Sequence, residues 1–339
     1  MNNSILKYYV TPLIVVIMMI PFYFGNHALW FGLIFLSAIM VIGDALLGND
    51  FSQIGPIKNK FYLNLPLFIS FPLLSILVYL LVDSTKNGYT LLDYIGAILG
   101  VGLIVAGYGT NSAHELIHRS DLFSRTIGRW ILSLSLNPDF SIEHVYGHHE
   151  KVATPADPAT ALRGENVYTF FIKSTVKGHL SAWKLELKRL RIKNLGIVSF
   201  NNLMLTGYIM IFFWVVLFYR IAGWKGVVIY VLQGVFAKFV LEVINYVEHY
   251  GILRKEDSRV LPHHSWNSNK RVSGLILYSL TRHSHHHENG TLPYWELKPY
   301  PKSPEMPYGY LTTTFISLVP PLWFKIIEPL LDSWDKKYA

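Results

Sequence analysis

Residues Leu91–His118 read LLDYIGAILGVGLIVAGYGTNSAHELIH. The first part of the run, 91–110, is almost wholly apolar, and about 20 such residues let an α-helix cross the hydrocarbon core of a bilayer. It passes without a break into His114-Glu115-Leu116-Ile117-His118. There, two imidazoles four residues apart share one face of a helix. A spanning helix that delivers metal-ligand side chains at its end predicts an all-α membrane protein, with its chemistry where the spans leave the bilayer.

Five further stretches have the same character, roughly 8–24, 28–47, 62–82, 199–219 and 227–247, so six transmembrane helices are expected. Composition agrees: of 339 residues, 51% are hydrophobic and only 15% charged, against about a quarter charged in soluble domains. The first stretch lacks a small-residue cleavage site and a second span follows at once, so it is not read as a removable signal. The links Gly25–His27, Asp83–Tyr89 and Arg220–Gly226 are short, and the longer segments hold nearly all the Lys and Arg. The positive-inside rule then places both termini and the segments 111–198 and 248–339 in the cytoplasm of a bacterial-type inner membrane. The chain reads as one domain, 1–339, in which six helices carry a cytoplasmic helical cap. Its net charge of +8 is met by anionic lipid, and no separate basic domain suggests nucleic acid. Tyr168–Asn194 reads as a basic amphipathic helix in the headgroup plane, with Leu180, Trp183, Leu187 and Leu190 on its apolar face. Leu311–Leu331 is apolar but interrupted by Pro320-Pro321, so it is expected at the interface and not as a seventh span.

The chain has no cysteine and 14 histidines. That excludes disulfides, thiolate-ligated haem and iron–sulfur clusters, and leaves imidazole as the metal-binding resource. His114/His118, His144/His148 and His283/His287 are pairs four residues apart, each able to present two rings to one ion. His149 and His286 can reach a second ion nearby, and His249 stands at the end of the last span in Asn245-Tyr246-Val247-Glu248-His249-Tyr250-Gly251. Nine rings are too many for one ion and suit two. An all-imidazole set favours Zn, Cu, Fe or Ni over Mg or Ca. The isolated His27 and His179 are assigned no metal role. His114-Glu115-Leu116-Ile117-His118 is also the H-E-x-x-H signature of zinc proteases, with the glutamate as general base, but one zinc would leave six histidines without work. A metal transporter would need ligands at mid-membrane rather than at span ends.

The series HxxxH, HxxxHH, HxxHH resembles the membrane di-iron desaturase/hydroxylase superfamily. Glu143–Thr160 (EHVYGHHEKVATPADPAT), Asn245–Leu253 (NYVEHYGIL), Pro262–Asn269 (PHHSWNSN) and Arg282–His287 resemble, more narrowly, the integral-membrane alkane 1-monooxygenase family, which includes xylene-oxidising relatives. The resemblance implies two iron ions held by His114, His118, His144, His148, His149, His249, His283, His286 and His287. It makes Glu115, Glu143, Asp157, Asn245, Glu248 and His264 supporting or structural residues. The activity implied is O2-dependent hydroxylation of a hydrocarbon methyl group, with a fatty-acyl desaturase or hydroxylase as the alternative within the superfamily. Electrons would come from rubredoxin or a ferredoxin with an NAD(P)H reductase. The motifs depart from the family pattern at Arg119, His285 and Glu288.

Carboxylates beside the ligands fit the task of orienting imidazoles, since a ligating ring donates its other N–H to such a group. Lys238 and Glu242, one turn apart within a span, should meet each other or the site. Phe212, Phe213, Trp214 and Phe236 are candidates to line a route for a hydrocarbon from the bilayer. His285 lies two residues past His283 and faces away from it on a helix. It is therefore expected to be no ligand, and the aspartate that the resemblance implies at this position makes it an expected acceptor that orients a neighbouring imidazole.

Overall fold

Thr90 starts the helix that the opening motif predicts. Its hydroxyl accepts from the Asp93 backbone N–H at 3.3 Å, and the Asp93 carboxylate accepts from the Thr90 N–H at 3.1 Å, a capping box that satisfies the first free amides of the helix. In the computed structural model, which describes residues 3–55 and 59–338, the chain is helical throughout. Among the described residues there is no strand, only two isolated bridges, Asn49 to Lys270 and Asn267 to Glu305.

Five helices are long and apolar enough to span a bilayer: α1 (Lys7–Phe24), α2 (Asn26–Leu47), α3 (Phe61–Asn87), α4 (Leu91–Ile117) and α8 (Leu203–His249). Between α4 and α8 lie α5 (Leu122–Leu134), the short helical run α6 over 140–151 and α7 (Val167–Ile192). After α8 come α9 (Arg271–Ile276), α10 (His283–Glu288), α11 (Tyr310–Ser317) and α12 (Pro320–Tyr338).

The expected spans 199–219 and 227–247 are the two arms of α8, which turns back on itself between them so that Phe218 packs on Tyr230 with ring centroids 5.1 Å apart. The expected link Arg220–Gly226 narrows to Ala222 and Gly223, the residues that leave helical geometry. Gly223 takes φ 61° and ψ −152°, a conformation that a side chain on Cα disfavours. The arms 203–221 and 224–249 measure roughly 28 and 39 Å at about 1.5 Å per residue. Pro66, inside α3, removes the amide that would bond the Tyr62 carbonyl, and the Tyr9 hydroxyl donates to that oxygen at 2.9 Å instead.

α7 differs from expectation in its faces. Its buried stripe is Val167, Phe170, Ser174, Gly178, Ala182, Glu186 and Leu190, while Leu180 and Leu187 are exposed. The small residues let α7 lie close to α6 and α8. The buried Glu186 carboxylate accepts from Arg189 and, at 2.6 Å, from the Leu203 backbone N–H, holding negative charge at the N-terminus of α8. The apolar C-terminal run breaks where its proline pair predicts. α11 ends at Ser317, Pro320 opens α12, and Trp323 is fully buried against Tyr246 and Tyr250 of the α8 end.

Asp44 of α2 ties these parts together. It is 1% exposed and accepts from the backbone N–H of Val272 at 3.1 Å, of Ser273 at 2.9 Å and of Tyr310 at 3.3 Å, as well as from the Ser273 hydroxyl. One carboxylate thus caps the starts of both α9 and α11. Asp44→Ala strands buried donors and should destabilise the fold by on the order of 3 kcal/mol. The check is the unfolding midpoint in detergent, which should fall by several degrees, while alanine at the exposed Lys177 leaves it in place.

Candidate metal centre

Each predicted ligand is delivered by the end of a helix. α4 carries His114 and His118, α6 carries His144, His148 and His149, α8 ends on His249, and α10 carries His283, His286 and His287. All nine converge. Ring nitrogens of His114, His118, His144, His149 and His286 lie within 4.8 Å of one another, as do those of His148, His249 and His287, and His283 joins His249 and Glu248 in a third, overlapping set. The Nε2 atoms face each other at 3.1 Å (His144 and His149), 3.0 Å (His149 and His286), 3.1 Å (His249 and His283) and 2.9 Å (His283 and His287).

The expected pairing of His144 with His148 on one ion is not what the structure shows. Residues His144–His148 form a π-turn, in which the His149 backbone N–H donates to the His144 carbonyl. With the ladder running i to i+5, His149 and not His148 returns to the face of His144. His148 turns toward the other set, its ring 4.7 Å from that of His249 and 4.9 Å from that of His287. π-turns of this kind gather at functional sites. His114/His118 and His283/His287 do share faces, with ring centroids 4.7 and 4.4 Å apart.

The donor set tests whether metal fits. His114 has no hydrogen-bond partner on either ring nitrogen, and neither Nε2 of His118 nor Nε2 of His148 has one. Burial holds His144, His149, His283, His286 and His287 well below the ordinary imidazole pKa, and neighbouring rings push the same way; burial lowers His118 to about 4. The rings are therefore neutral at pH 7 and aim lone pairs at one another, which is unfavourable unless cations lie between them. Nitrogens about 2.1 Å from a shared ion sit roughly 3 Å apart when adjacent, the spacing seen here.

Two carboxylates orient rings as expected. His148 Nδ1 meets Asp157 at 2.9 Å. Burial opposes the charged form of His148, but Asp157 outweighs it and raises the ring's pKa. Glu248 lies 3.2 Å from His283 Nδ1 and accepts from the Tyr310 hydroxyl, so a tyrosine that no motif marked holds the carboxylate beside the ring.

The other supporting residues do different work. Glu115 pairs with Arg119 at 3.1 Å and accepts from the Tyr294 N–H at 3.2 Å, which leaves it no histidine and ill suits it to be a protease base. Glu143 is buried with neither oxygen bonded, and burial raises its pKa to about 7. Asn245 donates to Glu242 at 3.4 Å. His264 accepts from the Leu261 N–H at 3.0 Å and caps its own turn. His285 stands outside the metal sets, and its Nδ1 accepts from the Lys298 backbone N–H at 2.8 Å. It orients a loop and not, as expected, an imidazole. His27, bonded to Asp93, and His179, bonded to Tyr208, also lie apart.

Two further contacts had no sequence signal strong enough to assign them. Phe140 stacks on His144 with centroids 4.6 Å apart. Gly290 passes so close that a Cβ there would lie 2.8 Å from His149 Cε1 and 3.6 Å from His118 Cε1, so bare backbone covers the two half-buried rings of the first set.

Comparison with known proteins follows this geometry. The model of the fatty acid desaturase family matches residues 90–316. Alkane 1-monooxygenase 2 of Alcanivorax borkumensis is 34% identical over 90% of this chain and 83% of its own length. Alkane 1-monooxygenase of Ectopseudomonas oleovorans is 33% identical over 93% and 82%. The xylene/toluene monooxygenase hydroxylase component XylM of Pseudomonas putida is 30% identical over 98% and 91%.

Asp157→Ala should free the His148 ring and weaken metal binding about 10- to 100-fold, measured by competition with a chelator. Gly290→Leu should drive a side chain into His149 and cut metal content per protein by more than half, whereas Gly196→Leu, where an added Cβ would meet nothing nearer than Ser199 Cβ at 4.0 Å, should leave metal content unchanged.

Proposed function

Because the chain belongs to the fatty acid desaturase family, and within it to the alkane 1-monooxygenases and their xylene-oxidising relatives, we propose that it hydroxylates a methyl group of a hydrocarbon with O2. The observation that carries the reading is the meeting of nine imidazoles in adjacent sets at the ends of apolar helices. We assign His114, His118, His144, His149 and His286 to one iron ion, and His148, His249, His283 and His287 to the other. Two such irons, once reduced, supply the means to activate O2 against a C–H bond that has no acidic proton and no leaving group.

The chain's own residues supply position and shelter. Asp157 fixes the Nδ1 side of His148, so that its Nε2 lone pair points inward, and Glu248 stands 3.2 Å from His283 Nδ1. Phe140 on one side and the backbone at Gly290 on the other restrict water at the rings. The apolar spans admit a substrate that partitions into lipid. In this reading each arm of α8 crosses the membrane, giving six crossings. The Lys and Arg distribution places both termini and the centre on the cytoplasmic side of a bacterial-type inner membrane. With no cysteine in the chain, electrons come from a separate carrier, rubredoxin or a ferredoxin, served by an NAD(P)H reductase.

The test is metal analysis of purified protein, followed by product analysis with a panel of n-alkanes and alkylbenzenes under a reconstituted electron supply. Two irons per chain and a terminal or benzylic alcohol are expected. An alkene from a fatty-acyl substrate, with no alcohol from any hydrocarbon, would replace this reading with desaturation. His249→Ala and His286→Ala should each lose activity and iron together, while Glu115→Gln should keep iron and lose activity only in part.

A further inference from the structure

Four ionisable side chains lie behind the imidazoles without touching a metal position. His179 Nδ1 stands 3.3 Å from Asp139, Lys238 Nζ stands 3.9 Å from Asp139 and 3.6 Å from Glu242, and His179 Nε2 meets the Tyr208 hydroxyl at 2.7 Å. The His179 side chain is 37% exposed, whereas those of Asp139, Lys238 and Glu242 are 8%, 13% and 8% exposed. Two cavities share this group as a wall. The outer one, about 480 Å3, is bordered by His179 and Tyr208; the inner one by Glu242, Glu143, His144 and His148; Asp139 and Lys238 line both. Asn137 accepts from Lys238 at 2.7 Å and keeps its ammonium on this wall.

Packing alone does not call for such a group. Charges within a spanning helix are costly, and an ion pair that only fills space is commonly replaceable by apolar side chains. The hydroxylation proposed above, on which this inference rests, has a need that the group fits. Each turnover converts R–H and O2, with two electrons from the carrier and two protons, into R–OH and water: one C–H bond becomes C–O–H, and the second oxygen leaves as water. The electrons arrive from a protein, and the protons must cross a buried, largely apolar shell.

We propose that Asp139, Lys238 and Glu242 relay protons from His179 at the surface to the inner cavity beside His144 and His148. His179 takes a proton on its outer nitrogen and releases one from Nδ1 to Asp139. Lys238 passes a proton to Glu242 and is recharged by Asp139, and Glu242 releases its proton into the inner cavity. Each step moves one proton between neighbours and returns the donor to its starting state after the next.

The experiment compares wild-type holoenzyme with Asp139→Asn, Glu242→Gln and His179→Ala in detergent, with an alkane and a reconstituted electron supply. The measurements are alcohol formed, peroxide released per O2, iron content and the solvent deuterium isotope effect on turnover. In each variant, turnover should fall at least about tenfold, with iron unchanged, more peroxide and a larger isotope effect. Added imidazole should restore His179→Ala, which a purely structural role would not allow. Should the two buried variants fail to fold, the half-exposed His179→Ala decides by the same readouts. Wild-type turnover, isotope effect and coupling in the variants would overturn the relay, and so would activity lost only in step with iron. A wild-type enzyme that makes no alcohol from any hydrocarbon removes the hydroxylation reading and the relay with it; a wild-type enzyme that does, with variants equal to it, removes the relay alone.

Discussion

Neutral imidazoles repel one another when their lone pairs meet, and here six of them do so in a buried cluster of nine. Facing Nε2 atoms about 3 Å apart are tolerable only around cations, so the surrounding protein must hold the rings in place before any ion arrives. Much of the fold answers that demand. Four helix ends are brought to one region, and buried carboxylates fix what each end presents. Asp157 and Glu248 act on rings directly. Asp44 and Glu186 act at a distance, by capping the helices that frame the site. Asp157, Asp44 and Glu186 accept several bonds each, which is how a buried negative charge becomes a fixed joint.

Much of this was legible in the residues. The spans followed from length and hydropathy, because lipid leaves a helix no alternative way to satisfy its backbone. The nine candidate imidazoles followed from spacing and from resemblance, and the structure gathers all of them. What the sequence concealed were deviations of the backbone from regular geometry. Nothing in EHVYGHH distinguishes a π-turn from an α-turn, so His148 was placed beside His144 although it belongs with His249 and His287. Likewise Arg220–Gly226 reads as a link between two spans, yet the turn there takes only Ala222 and Gly223 out of helical geometry.

The supporting residues were legible only in kind. A carboxylate near a ligand motif is a fair candidate to orient an imidazole, but four candidate positions compete for few exposed Nδ1 atoms. Asp157 and Glu248 reach them. Glu115 is taken by Arg119 and the Tyr294 amide, and Glu143 faces a cavity. Tyr310, which supports Glu248 from 62 residues away in the chain, could not be found from local spacing at all. Lys238 and Glu242 were expected to meet because charge inside a span needs a partner, and they do so at 3.6 Å. Their further contact with Asp139 came from a loop whose path the sequence did not fix.

The turn at His144–His148 holds one residue more than an α-turn would. A chain one residue shorter there could still bring the outer two rings together on a regular helix, since they would then stand four apart. It would lose only the freedom to point His148 elsewhere. One extra residue in the turn thus lets a single helix present imidazoles to both groups, the smallest change in chain length that could do so.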